Sequence, residues 1–283
     1  MKTVNEKARQ RKKFQYYFTS ILSVILGLII IFPLFYAICS GFKDNINFDN
    51  YPPRILPETF RNLSNFIYVV TKTLIPRYML NSFVIALSAT LVRLIFSTLA
   101  AYSFAFFNFK GKNVLFFIIV GTMMIPSEAL LISNYLTVSK LGLLNTYAGI
   151  VCVYFVSASQ VFMFRQSFKT ISGALRDAAY IDGCGDLLFY IKICIPVSRP
   201  VITALGLSSF INVWNTYLWP LLVTNKEEMR TVQVGITMLS NADSNAKGHV
   251  FAGIGIILIP MIILFAISQR NMVRGISSGA VKG

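Results

Sequence analysis

The chain has 283 residues, of which 55% are hydrophobic and 13% are charged. A soluble domain usually has about 25% charged residues, so this composition excludes an ordinary soluble protein of this length. The apolar residues also occur in blocks that are long enough to cross a bilayer as helices. We therefore predict an all-α integral membrane protein.

The net charge of +15 is also typical of nucleic-acid-binding proteins, but the positions of the basic residues indicate another role. Most of them lie between the apolar blocks, next to the ends of the predicted helices, and no basic soluble domain is present. We expect these residues to anchor the chain to membrane lipid, and we expect no nucleic-acid partner.

The cysteines and the single histidine do not predict a metal or catalytic site. Cys39, Cys152, Cys184 and Cys194 form no C-x-x-C pair, and His249 is the one histidine. A metal site needs several such ligands close together, and a catalytic triad needs a histidine beside its nucleophile. We therefore expect no metal and no catalytic residue on this chain.

Six apolar blocks predict six transmembrane helices. The predicted spans cover residues 20–38, 82–107, 114–133, 147–164, 200–223 and 250–267. The first block follows a basic segment, as in a signal peptide, but no small-residue cleavage site comes after it, so we expect an uncleaved helix. The chain then divides into an N-terminal segment (1–19), a transmembrane domain (20–268) and a C-terminal tail (269–283).

The basic residues predict the orientation of the chain in the membrane. If the N-terminus is cytoplasmic, the cytoplasmic segments are 1–19, 108–113, 165–199 and 269–283, and they hold sixteen of the 26 basic residues. The outer loops hold nine over a slightly greater length. Cytoplasmic loops carry an excess of Lys and Arg, so we predict that both termini are cytoplasmic.

Arg93 lies inside the second predicted span. A charged side chain at the centre of a bilayer costs about 2.5–3.5 kcal/mol on insertion scales, so Arg93 should face other helices or a wet cavity. The sequence leaves two roles open for it. One is a residue that lines a solute pathway, and the other is a fixed hydrogen bond between helices.

Residues 165–199 form an unusual polar segment between the fourth and fifth predicted spans. Ala178 and Ala179 favour a helix, and Asp177 is placed early enough to favour its N-terminus. Gly183 and Gly185 should end this helix.

The helix is followed by Leu187, Leu188 and Phe189. These apolar side chains can pack back on the spans or enter a groove of a partner protein.

The same segment resembles the signature loop of the permease subunits of binding-protein-dependent ABC importers. That signature is Glu-Ala-Ala, three residues, Gly, nine residues and Ile-x-Leu-Pro. Here it reads Asp177-Ala178-Ala179, then Gly183, then Ile193-Cys194-Ile195-Pro196. Asp177 replaces a glutamate and Ile195 replaces a leucine, which keeps the charge and the apolar character.

Other segments are similar to the MalG-like branch of carbohydrate importers. They are Phe164–Phe168, the pair Asp182-Gly183, Trp214–Pro220 and the tail Arg274–Gly283. The resemblance covers about residues 15–283 and implies the type I ABC importer permease fold, with a cytoplasmic coupling helix, in the cytoplasmic membrane of a bacterium.

The resemblance also implies the partners. A helix around Asp177 to Phe189 would dock on a cytoplasmic ATPase subunit, and closure of the ATPase dimer would move the spans. The residues implied in ATPase contact are Asp177, Ala178, Ala179, Asp182, Gly183, Leu187 and Phe189, with Gly279, Ala280 and Lys282 of the tail. The complete importer would contain a second permease subunit, two ATPase subunits and an extracytoplasmic solute-binding protein.

The sequence contains no G-x-x-x-x-G-K-[ST] motif, so it predicts no phosphate-binding loop for ATP on this chain. We expect no cofactor on the chain itself. ATP and Mg²⁺ would bind to the partner ATPase subunits.

The fifth predicted span carries candidate residues of a solute pathway. Asn212, Asn215 and Trp219 recur at i, i+3 and i+7 and would share one face of a continuous helix. Amides bond sugar hydroxyls, so Asn212, Asn215, Tyr217 and Arg93 are the candidates for lining the pathway. Interhelical hydrogen bonds are the alternative role for the asparagines, and Trp219 is expected in the interfacial aromatic belt.

A secondary transporter of a small polar solute is the alternative function. Such a transporter needs an intramembrane acid or an ion site for coupling. Glu128 is the only acidic residue close to the interior of a predicted span, and it lies near the end of that span.

Overall fold

The computed structural model describes the backbone of residues 2–44, 48, 51, 54–242 and 247–280, and the side chains of 13, 15–44, 48, 51, 54–240 and 247–268. The regular elements within these ranges are all helical. The α-helices are α1 (Lys2–Ser40), α2 (Ser64–Lys72), α3 (Ile75–Phe106), α4 (Lys112–Gly121), α5 (Leu131–Lys140), α6 (Tyr147–Val151), α7 (Ala158–Lys169), α8 (Gly173–Ile181), α9 (Asp186–Phe189), α10 (Ile195–Val197), α11 (Arg199–Trp214), α12 (Leu218–Val223), α13 (Val232–Ala242) and α14 (Lys247–Ala280).

Short turns of other helical types connect several of these helices. The 3₁₀ turns are Thr122–Met124, Ser127–Leu130, Cys152–Tyr154 and Glu227–Met229, and a π-helical turn covers Tyr190–Cys194.

Within the described part of the chain, three helices are long and apolar enough to cross a membrane by themselves. They are Gln15–Ser40 within α1, Ile75–Phe106 and Lys247–Ser268 within α14. They confirm the first, second and sixth predicted spans. The second is longer than predicted at its N-terminal end, because Pro76 is accepted in the first turn of a helix, where its missing N–H is not needed.

The other candidate spans are bent pairs of helices. Lys112–Met124 meets Ser127–Lys140 at 95°, Tyr147–Tyr154 meets Ala158–Lys169 at 50°, and Asp186–Val197 meets Arg199–Trp214 at 78°. Counting each pair as one span gives six, as the sequence predicts.

The prediction of one continuous helix over residues 114–133 is wrong. The backbone leaves the helical conformation at Ile125 and Pro126. Proline has no N–H to donate, and it forces the preceding residue towards an extended conformation. The sequence therefore carried the signal for this break in Pro126.

The predictions of one continuous helix over residues 147–164 and over residues 200–223 are also wrong. The first is interrupted between Tyr154 and Ala158, where the two parts meet at 50°. Helix α11 ends at Trp214, and α12 begins at Leu218. The residues between them separate Asn212 from Trp219, so these two side chains do not share one helical face.

The chain divides into two compact units, residues 1–73 with 239–256 and residues 74–238 with 257–283. In the first unit, Asn65 of α2 is buried and its Nδ2 donates to the carbonyl oxygens of Gly41 and Lys43. In the second unit, α3 packs against α7 and α11. The candidate sites described below lie in this second unit.

Gly149 allows a close approach of α6 to the loop before it. Thr146 caps α6 by accepting a hydrogen bond from Gly149 N at 3.0 Å, and it donates to the Leu143 carbonyl oxygen at 2.7 Å. A Cβ atom on Gly149 would overlap that carbonyl oxygen, which belongs to the backbone and cannot turn away.

We therefore predict that Gly149→Ala lowers the free energy of unfolding by about 1–3 kcal/mol through overpacking. Gly121→Ala is the matched control, since Gly121 is also helical and a Cβ there meets nothing within 4 Å. The apparent melting temperature of the detergent-purified protein measures both. Equal melting temperatures for the two variants would contradict the close contact at Gly149.

Candidate functional site

A cavity of about 560 Å³ lies inside the second unit. Its wall combines a guanidinium group, a carboxylate, hydroxyl and amide groups, and aromatic rings. The lining residues are Arg93, Ser127, Glu128, Leu131, Asn134, Val153, Tyr154, Thr216, Tyr217, Leu218 and Trp219. The polar groups in such a wall can orient a solute by hydrogen bonds, as a few polar groups do in ligand sites that are otherwise mostly apolar.

The cavity is built from the breaks in the helices. Glu128 follows the break at Pro126, Tyr154 precedes the break before α7, and Thr216 and Tyr217 occupy the break between α11 and α12. Non-helical backbone at membrane depth is tolerated only where protein buries it or where it lines a water-filled cavity. The position of the breaks and the presence of the cavity are therefore consistent with each other.

Side-chain donors bond to backbone carbonyl groups close to these breaks. Arg93 Nε donates to the Tyr154 carbonyl oxygen at 2.7 Å, and Trp219 Nε1 donates to the Ile150 carbonyl oxygen at 3.1 Å. The carbonyl groups in the last turn of a helix have no intrahelical donor. Arg93 and Trp219 therefore stabilise the broken backbone around the cavity.

The structure gives Arg93 both of the roles that the sequence left open, a fixed hydrogen bond between helices and a place in the cavity wall. Besides the bond to Tyr154, its Nη1 donates to Ser209 Oγ of α11 at 3.0 Å. Its guanidinium carbon lies 5.5 Å from the centroid of the Tyr154 ring. Arg93 thus makes fixed bonds between helices, and it also lines the cavity.

The predicted pathway residues are divided by the structure. Tyr217 and Arg93 line the cavity, whereas Asn212 and Asn215 do not. Asn212 is exposed on α11, with its Nδ2 3.5 Å from Ser208 Oγ, and Asn215 Oδ1 accepts a hydrogen bond from Gln233 Nε2 at 3.2 Å.

The expectation for Trp219 is wrong. Its side chain is 4% exposed, and its indole N–H is bonded to α6, so it is a buried packing residue and not a member of an interfacial belt. The sequence analysis also missed Ser127, Asn134 and Thr216 as cavity residues. Ser127 directly follows the break at Pro126, and this proline was the available signal for it; Thr216 lies within the break between α11 and α12.

The segment 165–199 begins in the last turns of α7, and its central part folds as two short helices, α8 and α9, joined by a glycine turn. Ser172 caps α8 by accepting a hydrogen bond from Leu175 N at 3.3 Å. Asp177 is therefore in the middle of α8, and its expected place at the N-terminus is wrong. Helix α8 ends at Ile181, and Gly183 has φ +78°, a left-handed conformation that glycine adopts without strain. This confirms the prediction for Gly183, whereas Gly185 instead precedes the first residue of α9.

Ala179 and Phe189 form the base of this segment. Both are buried, and Phe189 is completely so. They pack in one cluster with side chains of α3, α7 and the following π-helical turn, namely Ala101, Tyr102, Phe164, Phe168, Ile171 and Cys194. The sequence left two roles open for Phe189, packing against its own chain or entering a groove of a partner, and the structure shows the first. Phe189 and Ala179 therefore do not belong to the outer surface that is predicted to contact the partner.

The outer surface of the segment carries the other predicted contact residues. Asp177, Ala178, Asp182 and Gly183 are exposed. Leu187 is exposed by 67%, and Ile181, which the sequence analysis did not single out, is exposed by 87%. The surface thus combines two carboxylates, small residues and two large apolar side chains.

Polar bonds fix α8 and α9 to each other and to the end of α3. Arg176 Nη1 donates to the Phe106 carbonyl oxygen at 3.0 Å, and Arg176 Nη2 lies 3.5 Å from Asp186 Oδ1. Arg176 also donates to Tyr180 Oη, and this hydrogen bond raises the pKa of the guanidinium, which therefore stays charged. Tyr102 Oη donates to the Asp186 carbonyl oxygen at 3.0 Å. The segment is therefore attached rigidly to α3.

The predicted tail contacts lie outside the described side chains. Helix α14 extends to Ala280, so Gly279 and Ala280 are in its last turn, and Lys282 is beyond the described residues. The role of these three residues stays a prediction.

We predict that Phe189→Ala destabilises the segment by about 3–5 kcal/mol, because it removes a fully buried ring from the cluster. Leu187→Ala is the matched control, since its side chain is exposed, and it should leave stability within about 0.5 kcal/mol. Limited proteolysis between residues 173 and 189, together with the melting temperature, reports the effect. Equal protease sensitivity in both variants would show that Phe189 does not hold the segment in place.

Broken helices around a cavity with polar groups are typical of polytopic membrane transport proteins. The chain belongs to the family described as binding-protein-dependent transport system inner membrane component, whose model matches residues 93–278. This range contains every residue of the cavity and the whole of the segment 165–199.

Curated relatives cover nearly the whole chain. It is 32% identical over 260 residues to the arabinooligosaccharides transport system permease protein AraQ of Halalkalibacterium halodurans, covering 91% of this chain and 93% of that protein. It is 34% identical over 264 residues to the sn-glycerol-3-phosphate transport system permease protein UgpE of Brucella abortus, covering 90% and 94%.

Solved structures share the fold. A chain of a bacterial ABC transporter involved in the import of the acidic polysaccharide alginate superposes with a TM-score of 0.80, at 24% identity, over 91% of this chain and 96% of that one. A chain of a bacterial alginate ABC transporter in complex with an alginate pentasaccharide-bound periplasmic protein gives a TM-score of 0.63, at 14% identity, over 93% and 96%.

These matches confirm the predicted class. The protein is a multi-pass inner membrane component with the type I ABC importer permease fold, and it is a transport component and not an enzyme. They do not support the alternative of a secondary transporter.

Proposed function

We propose that this chain is one of two permease subunits in an ATP-driven importer of a carbohydrate or a carbohydrate-like polar solute. The cavity at the three helix breaks carries this proposal, because it gives the solute a polar path at the depth where the spans lose their helical backbone. Transporters place their substrate sites at such discontinuous helices.

The chemistry of the cavity suits a molecule with many hydroxyl groups. Ser127, Asn134 and Thr216 can exchange hydrogen bonds with hydroxyls, and the rings of Tyr154 and Tyr217 can pack against the apolar faces of sugar rings. The relatives support the same class, since their names refer to arabinooligosaccharides and sn-glycerol-3-phosphate.

The energy for transport comes from partner subunits in this proposal. The sequence contains no phosphate-binding loop, so two ATPase subunits would bind ATP and Mg²⁺. A second permease subunit would complete the membrane pathway, and an extracytoplasmic binding protein would deliver the solute. The distribution of basic residues supports a cytoplasmic position for both termini and for the segment 165–199.

The exposed surface of this segment would dock on an ATPase subunit. Asp177, Ala178, Ile181, Asp182 and Leu187 are available for the contact. The tail residues Gly279, Ala280 and Lys282 are proposed to contact the ATPase subunits as well, by the resemblance alone.

Helix α3 would connect the docked segment with the cavity. Its C-terminal end is bonded to the segment through Tyr102 and Phe106, and Arg93 lies on its cavity side. Tyr102 and Arg93 are nine residues apart, or about 14 Å along the helix. A movement imposed on the segment would therefore displace the cavity wall through one rigid element.

The coupling role predicts the effect of Gly183→Asp. Uptake and ligand-stimulated ATP hydrolysis by the reconstituted importer should be abolished, because a third carboxylate would be added to the docking surface. A Cβ at this position meets nothing within 4 Å, and aspartate tolerates a left-handed backbone better than most residues. Stability should therefore fall by no more than about 1–2 kcal/mol.

Gly142→Asp is the matched control for this variant. Gly142 also has a positive φ, of +68°, and open space around it, but it lies outside the segment. It should lose the same small amount of stability and keep full uptake. If Gly183→Asp transported and hydrolysed ATP as well as Gly142→Asp, the docking surface would be wrong.

The cavity role predicts the effect of Tyr217→Ala. The maximal uptake rate of the ligand identified on the cognate binding protein should fall about twofold to tenfold, the equivalent of one lost contact of roughly 0.5–1.5 kcal/mol. Asn212→Ala should leave the rate unchanged, because Asn212 does not line the cavity. The reverse result would place the pathway along the exposed face of α11 and overturn the assignment of the cavity.

A further inference from the structure

A second cavity, of about 580 Å³, lies where α4 begins and α7 ends. It shares no residue with the first cavity or with α8 and α9. Its lining residues are Asn108, Phe109, Gly111, Lys112, Asn113, Val114, Arg165 and Lys169. We call it the basic cavity, because three of these residues are cations and none is acidic.

The cations of the basic cavity have no carboxylate partner among the described side chains. The ion pairs among the described side chains join Arg54 to Glu58, Arg176 to Asp186 and Arg230 to Glu227, and none of them involves a residue of the basic cavity. Like charges that face one space repel each other. An anion placed between the three cations would remove this repulsion and be attracted by all of them.

Two of the cations are held in place by the end of α3. Lys112 Nζ donates to the Phe107 carbonyl oxygen at 2.7 Å, and Arg165 Nε donates to the Phe104 carbonyl oxygen at 3.2 Å. The guanidinium carbon of Arg165 also lies 4.1 Å from the centroid of the Phe116 ring. These bonds use one of the three donors of the lysine and one of the five of the arginine, so the remaining donors can bind a ligand.

The third cation, Lys169, is exposed at the end of α7. No hydrogen bond or ion pair of its ammonium group is seen among the described residues. It therefore can turn towards a ligand without breaking a bond within the chain.

The surface next to the basic cavity is apolar. Val114 belongs to the cavity wall and is 65% exposed, and the next residues of α4 continue the exposed apolar surface, namely Leu115, Phe117 and Ile118. In an inner membrane component, such a surface on a candidate span suits acyl chains. A ligand here would contact cations at one end and an apolar helix at the other.

We propose that the basic cavity binds the phosphate group of an anionic membrane lipid, whose acyl chains lie along α4. Basic pockets between transmembrane helices are suited to anionic headgroups. A free phosphate ion would satisfy the three cations equally well, but only a lipid contacts both the cations and the adjoining apolar surface of α4 with one molecule. An acidic surface of a soluble partner would bring water-exposed groups next to the same apolar side chains.

The test uses the assembled importer, stripped of lipid, and native mass spectrometry of bound lipid. The probes are phosphatidylglycerol, zwitterionic phosphatidylcholine and inorganic phosphate. Phosphatidylglycerol should bind more tightly than phosphatidylcholine. Lys169→Gln should weaken the binding of phosphatidylglycerol about fivefold, because one basic side chain near an anionic headgroup contributes about 1 kcal/mol. The double variant Lys112→Gln/Lys169→Gln should weaken this binding further.

Lys192→Gln is the matched control, since Lys192 is an exposed lysine of the segment 165–199 that does not line the cavity. It should bind phosphatidylglycerol like the unchanged protein, and Lys169→Arg should restore the binding that Lys169→Gln loses. The single variant at Lys169 keeps the test valid if the loss of the Lys112 bond unfolds the double variant.

Three results would overturn the proposal. The first is equal binding of the two lipids, or binding that Lys169→Gln does not change. The second is tight binding of inorganic phosphate, if Lys169→Gln weakens the binding of phosphate and does not change the binding of lipid. This result would show that a soluble ion is the ligand. The third is loss of an ATPase subunit from the Lys169→Gln complex with unchanged lipid binding, which would make the basic cavity a protein contact.

Discussion

The architecture depends on one constraint: in a membrane, every backbone N–H and C=O group needs a partner in the protein or in a water-filled cavity. Three of the six candidate spans are broken, and each break frees peptide groups that lipid cannot satisfy. Two of these breaks, at Pro126 and before α7, meet the interruption between α11 and α12 at one cavity, whereas the third break, at Ser198, does not line it. At the cavity, Arg93 and Trp219 donate to carbonyl groups near two of the helix ends. The polar groups of the cavity therefore give backbone near these interruptions a partner that lipid cannot supply.

The same helix, α3, supports both candidate sites of the transport function. At its C-terminal end, carbonyl groups accept hydrogen bonds from Lys112, Arg165 and Arg176, which suits the negative end of a helix dipole. Further along, Arg93 bonds it to the cavity wall. Because α3 is one uninterrupted helix that is long enough to be a span, the segment 165–199 and the cavity are joined by a single element.

The sequence predicted the class of the protein and the position of its characteristic segment, because both depend on local features. Apolar blocks of helix length predict spans wherever they occur, and the Asp177-Ala178-Ala179 and Gly183 pattern has a fixed spacing. Individual roles were less predictable. Phe189 had two possible partners, its own chain or another, and only the position of α3 and α7 shows that its ring is buried. Asp177 was placed at a helix start because the cap at Ser172 was not recognised.

By itself, the sequence determined the number of candidate spans, the family and the glycine turn at Gly183, since each follows from hydrophobicity or from the conformational preference of one residue type. The tertiary structure decided where the spans break and which side chains meet at the breaks. Asn212 and Trp219 would share a face on a continuous helix, but α11 ends at Trp214. Residues on the two sides of a helix end no longer follow one helical repeat, so their spacing does not predict a shared face. The cavity unites residues from four separate parts of the chain, and only packing in three dimensions brings such residues together.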